Sequence, residues 1–247
     1  MLTGRWTRLP GGLLYARASL SPPPAAPVVV LVHGLVVSSR YLLPTAARLA
    51  PRCQVQAPDL PGFGRSYKPW PVLDLAQLAD ALAQWLDALA IPRAHWIGNS
   101  FGCQVLAEFA LRHPRRVERL VLLSPTVDPA ARSYGRQLSR LLRDTLREPP
   151  SLGGILLRDL AAMGVQRAWA TAALALADRI EDKLPLIQAP TLVVRGGNDP
   201  VVPQRWAAQA ARLLPHGELA VLPGRGHALN YNAPEALVRL LRPFLGL

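Results

Sequence analysis

Few side chains in this sequence are placed to do chemistry, and Ser100 is the first of them. It stands in Gly98-Asn99-Ser100-Phe101-Gly102, directly after the apolar run Ala94-His95-Trp96-Ile97 and before a helix-period segment. A serine at such a junction either caps a helix or is a nucleophile held on a strained turn. As a nucleophile it is an unactivated alcohol until a base lies within hydrogen-bond reach and an acid orients that base. Five histidines, at 33, 95, 113, 216 and 227, compete to be the base, and Asp59, Asp128 and Asp199 to be the acid. Cys53 and Cys103 lie in apolar runs with no metal-ligand spacing, so they read as buried free thiols of a reducing compartment. No metal cluster, Walker-type loop or dinucleotide fingerprint is present, and neither metal nor cofactor is expected.

These residues must be positioned by a scaffold. Val28-Val29-Val30-Leu31-Val32 is a β-branched run between Pro27 and Gly34, the pattern of a strand buried on both faces. Similar runs lie at 53–57, 94–97, 117–123, 191–194 and 219–222, and helix-period segments fall between them. Leu75 to Leu89 starts after a good cap, Asp74, and Asn232 with Glu235 has the spacing of a capping box. Alternating strands and helices predict an α/β fold with a mostly parallel sheet flanked by helices. The stretch 128–183 holds no convincing strand. Leu138, Leu141, Leu142 and Leu146 share one face of a helix there, and Arg132, Arg136, Arg140, Arg143 and Arg147 fall largely off it. The expectation is a core of 1–127 and 184–247 with a helical cap, 128–183, whose leucines turn inward and whose arginines face solvent.

Five motifs in order, VLVHGL (30–35), DLPGFGRS (59–66), GNSFG (98–102), GGNDPVVP (196–203) and GRGHALN (224–230), resemble the α/β-hydrolase superfamily. The resemblance runs from about Val28 to the C-terminus, and that superfamily also carries a cap where this chain has its helical stretch. It implies Ser100 as nucleophile on an elbow between strand and helix, with its hydroxyl above the sheet and its flanking glycines demanded by close packing. It implies His227 as the base and Asp199 as the acid, with Asp128 as the rival, because some members carry the acid there. His33 resembles the histidine that shapes the oxyanion loop, and the hole is expected from the N–H groups of Leu35 and Phe101. Asp59 more simply ties down its own turn. In the cap, Leu138, Leu142, Met163 and Trp169 are the expected contacts to substrate.

Serine at the elbow argues against the branches of the superfamily that use Asp there. The reading is a serine esterase of small to medium apolar esters, with two alternatives: a carbon–carbon hydrolase of ring-cleavage-type diketones and a hydrolase-like ligand receptor. Of 28 basic residues only Lys68 and Lys183 are lysines, and the arginines are scattered rather than interleaved with aromatics. The formal net charge of +12 therefore reads as compositional bias and not as nucleic-acid binding. No secretory h-region opens the chain and no apolar run is long enough to span a bilayer. The expectation is a cytoplasmic protein, monomer or homodimer.

Overall fold

In the computed structural model, which describes all 247 residues, the β-branched runs become the middle of an eight-stranded sheet. The strands are β1 (Leu2–Leu9), β2 (Gly12–Ser19), β3 (Val28–Val32), β4 (Gln54–Pro58), β5 (Ala94–Asn99), β6 (Val117–Leu123), β7 (Thr191–Gly196) and β8 (Gly217–Leu222). Their order is β1-β2-β4-β3-β5-β6-β7-β8. β1 and β2 pair antiparallel with each other and β2 with β4; every later pairing is parallel. The sheet is mostly parallel, as its long apolar strands require.

The helices are α1 (Leu43–Leu49), α2 (Leu75–Ala88), α3 (Phe101–Arg112), α4 (Tyr134–Thr145), α5 (Pro150–Met163), α6 (Val165–Ala177), α7 (Ile180–Lys183), α8 (Gln204–Leu213), α9 (Leu229–Asn232) and α10 (Pro234–Leu245). In β3, Val30 and Val32 join the core beneath α2, α3 and α8, whereas Val29 and Leu31 join the one beneath α1 and α10. That alternation is the period of two of a strand buried on both faces. Asp74 caps α2 in a full capping box with Gln77. Asn232 does not act as the cap of α10: its amide donates to Glu148 Oε2 at 2.6 Å, and Ala233 stands at the helix start.

Between β6 and β7 the chain runs through α4 to α7 with no strand. This helical segment, expected to be the cap and named as such, is fastened to the rest of the chain by polar groups. Gln104 Nε2 on α3 donates to Ala175 O at 2.8 Å and to Asp178 at 3.0 Å, and Lys183 bridges Glu108 and Asp178. Arg167 Nη1 donates to Pro69 O at 2.6 Å.

The expected orientation of α4 fails for its leucines, whereas Arg136, Arg143 and, just past the helix, Arg147 are exposed as expected. Leu138, Leu141, Leu142 and Leu146 are exposed, and Asp144, alone on this helix, is buried. Arg132 and Arg140 do not face solvent: they pair with Glu181 and Asp128. The physical reason lies in the loops beneath, which offer α4 charged partners and unsatisfied amides that leucine cannot answer.

Candidate active site

Parallel strands deliver their following loops to one edge of the sheet, and all five motifs arrive there from the ends of β3, β4, β5, β7 and β8. Ser100 follows β5 with φ 55° and ψ −119°, a strained conformation for a residue with a side chain. Its N–H is held by Leu123 O of β6 at 2.9 Å. The turn has no room on either side. A Cβ on Gly102 would lie 2.6 Å from Val32 O, and one on Gly98 would lie 2.8 Å from Gly102 O. Both glycines are demanded by backbone approach, as the motif implied.

Asp199 leaves β7 and His227 follows β8, and the two are bonded, His227 Nδ1 to Asp199 Oδ2 at 2.9 Å, both buried. Asp199 Oδ1 accepts from the amides of Val201 and Val202 at 2.8 and 3.0 Å. Arg195, itself buried, staples the loop by donating to the carbonyls of Val202 and Asp199 at 3.0 and 3.1 Å. Burial opposes charge on Asp199, but His227 beside it and the amide donors outweigh that and hold its carboxyl below the usual range. Burial likewise opposes charge on His227, and Asp199 together with Asp144 and Glu148 overrides it, so the imidazole sits above its ordinary value. His227 Nε2 is buried with no protein partner. No hydrogen bond joins it to Ser100 Oγ, a contact that in unliganded enzymes often forms only with substrate.

Asp128 does not approach His227. Its buried carboxylate accepts from Arg140 at 2.9 Å, from Arg205 and from the Ala130 amide at 3.1 Å, fixing the start of the cap. Asp59 ties its own turn through the amides of Ser39 and Arg65 at 2.7 and 2.8 Å. His33 Nε2 accepts from Leu60 N–H at 3.0 Å, which leaves the ring proton on Nδ1 to donate to Gly34 O at 2.8 Å. Burial holds this imidazole below its ordinary value, against the pull of Asp59, so it is a neutral brace for the loop. A Cβ built on Gly34 would come within 3.3 Å of the Ser100 Cβ, so this loop lies against Ser100. In that loop Leu35 N–H donates to no acceptor of the protein. Phe101 N–H opens α3, where first-turn amides have no partner within the helix. Of the other histidines, His95 lies within β5, His113 is bonded to Asp80 at 2.8 Å, and His216 is exposed.

Two residues of the site escape the sequence reading. Asp144 Oδ1 accepts from His227 N–H at 3.0 Å, and Glu148 Oε1 accepts from Ala228 N–H at 3.0 Å. Burial pushes the Asp144 carboxyl up to about 6, with His227 pulling the other way. Neither shows in sequence because both contacts span about eighty residues. Of the expected substrate contacts, Met163 is buried against the core, whereas Leu138, Leu142 and Trp169 are exposed.

Comparison with known proteins bears on the fold and the family. Residues 29–240 match the model of the alpha/beta hydrolase family. A putative carbamate hydrolase, RutD, of Yersinia enterocolitica is 31% identical over 90% of this chain and 88% of its own. A pimeloyl-[acyl-carrier protein] methyl ester esterase of Neisseria meningitidis is 30% identical over 93% and 96%. A thermophilic esterase from Thermogutta terrifontis superposes with a TM-score of 0.80 at 25% identity, covering 100% of this chain and 98% of that one. Fold, motif order and these similarities together place the chain in the alpha/beta hydrolase family.

Proposed function

We propose that the chain hydrolyses small to medium carboxylic esters with apolar groups through an acyl intermediate on Ser100. The observation that carries the reading is the buried Asp199–His227 pair, whose Nε2 is unclaimed. It lies at the same sheet edge as a serine held at positive φ. His227 Nε2 takes the Ser100 hydroxyl proton as Oγ attacks the ester carbonyl carbon. Asp199 stabilises the imidazolium that results, and its amide donors keep it ionised. The carbonyl oxygen, now an oxyanion, receives the N–H groups of Leu35 and Phe101; one such donor is worth about 10²–10³ in rate. Collapse breaks the C–O bond, and the alkoxide leaves with the proton from His227. Water, deprotonated by His227, then attacks the acyl carbon and restores Ser100.

The relatives named as a methyl ester esterase and a carbamate hydrolase support acyl chemistry at a carbonyl bearing a heteroatom leaving group. Ser100→Ala is expected to lower hydrolysis of p-nitrophenyl esters by about 10⁴ or more. A phosphonate reagent is expected to add its mass to the peptide containing Ser100; label on Cys103 instead would overturn the assignment. A vinylogous diketone assayed beside the esters separates the alternatives. Faster cleavage of the diketone would favour carbon–carbon hydrolysis, and binding without turnover would favour a receptor.

A further inference from the structure

The cap carries an apolar surface that nothing in the chain covers. Along α4 and its C-terminal cap, Leu138, Leu142 and Leu146 recur every fourth residue on one face and are 59%, 60% and 88% exposed. Tyr134, at the start of the same helix, meets the Trp169 ring of α6 at 5.3 Å between centroids. The surface therefore continues onto α6, where Trp169 and Val165 one turn earlier are also exposed. A contiguous exposed patch of this kind marks a binding surface.

Its rim has one sign of charge. Arg136 and Arg143 lie on the flank of α4, both exposed and neither paired with a carboxylate. The sole acid of α4, Asp144, is turned away to His227. On α5, exposed Arg158 stands beside exposed Leu157, again without an acidic partner. A second copy of the chain would bring arginine against arginine across a twofold axis. Leucines on one face, arginines along the flank and aromatic rings at the margin suit a helix lying in the plane of a lipid interface. Anionic headgroups would supply the missing counter-charge.

We infer that the α4–α6 face of the cap docks on an anionic lipid surface, with the arginines among the headgroups and the leucines and Trp169 below them. This stands apart from the chemistry at Ser100. No single helix is long and apolar enough to cross a membrane, and the contact inferred is a peripheral one along the exposed face of α4 and α6.

The test is co-sedimentation of the whole chain with vesicles of phosphatidylcholine alone and of phosphatidylcholine with phosphatidylglycerol. Binding to the mixed vesicles only is expected. Leu146→Glu and Arg143→Glu, each at an exposed position, are expected to weaken it tenfold or more while leaving the thermal midpoint and the turnover of a soluble ester unchanged. Arg48→Glu on α1 makes the same change of charge as Arg143→Glu, outside the cap, and is expected to leave binding intact. Equal loss in all three variants would mean that net charge alone drives attraction, and the inference would fall. It would also fall if neither vesicle bound, or if light scattering showed a dimer that Leu146→Glu dissolves.

Discussion

Asp199 and Asp128 are both buried carboxylates at the same sheet edge, and their partners separate their work. Asp199 faces an imidazole and two amides, whereas Asp128 faces two guanidinium groups. Asp199→Asn is therefore expected to cut kcat/KM by several orders of magnitude, as loss of the orienting acid does in other triads. Asp128→Asn is expected to leave kcat/KM within about tenfold but to lower stability by on the order of 2 kcal/mol. That figure sits below the cost of breaking a wholly buried pair because Arg205 is half exposed. Steady-state kinetics and denaturant unfolding of the two variants check this, and the reverse pattern would move the acid to Asp128. The elbow glycines belong to the same scale. Gly102→Ala would drive a methyl group into Val32 O and His33 O. A cost of about 1–3 kcal/mol is expected, the range for overpacking, with activity falling further because the Ser100 turn must shift.

Among the elements, α4 reaches the loop of His227, the proposed base, through Asp144, whose carboxyl burial pushes up. Asp144 has its carboxyl raised to about 6 against an ordinary 3.8. Between those values the folded chain binds the extra proton, so stability falls as pH rises through that window. His227 is raised above 6.5, in part by Asp144. Its contribution is full below 6.5 and is lost as pH climbs through the folded value. The acidic limb of kcat/KM is accordingly expected above pH 6.5, since His227 must be neutral to act as base. Asp144→Asn keeps an acceptor for the His227 N–H and removes the charge, so the limb is expected to move to lower pH. A pH profile of parent and variant checks it; an unmoved limb would show that Asp144 has no electrical hold on His227.

Across the molecule, legibility follows local apolar runs rather than burial itself. β3, β5 and β7 are legible because strands buried between two helical layers are apolar runs, β8 because Leu219-Ala220-Val221-Leu222 is apolar although no residue of that strand is buried, and the Gly-Ser and Asp-His loops show by residue type. The hairpin of β1 and β2 leaves no such signal: β1 is an edge strand, largely exposed, and β2, though mostly buried, is GLLYARAS, interrupted by Arg17 and without a β-branched residue. The α4 leucine stripe was seen correctly but assigned to the wrong side. Period places residues on a common face and leaves open which way the face points. Here that is decided by Asp144 and Glu148 reaching His227 and Ala228, and by Arg140 reaching Asp128. None of these long-range partners leaves a local trace.

Those same two carboxylates bear on how freely the cap can be exchanged. Caps of a shared fold invite transplantation as interchangeable lids, but this one supplies acceptors for consecutive amides, those of His227 and Ala228. A graft from a relative lacking acids at the positions of Asp144 and Glu148 would leave one buried donor and one partly buried donor without partners and loosen the loop that carries His227. In a chimera, the cap would bring not only a new pocket but a new footing for the histidine, and the two effects would have to be separated before any change in specificity was credited to the pocket.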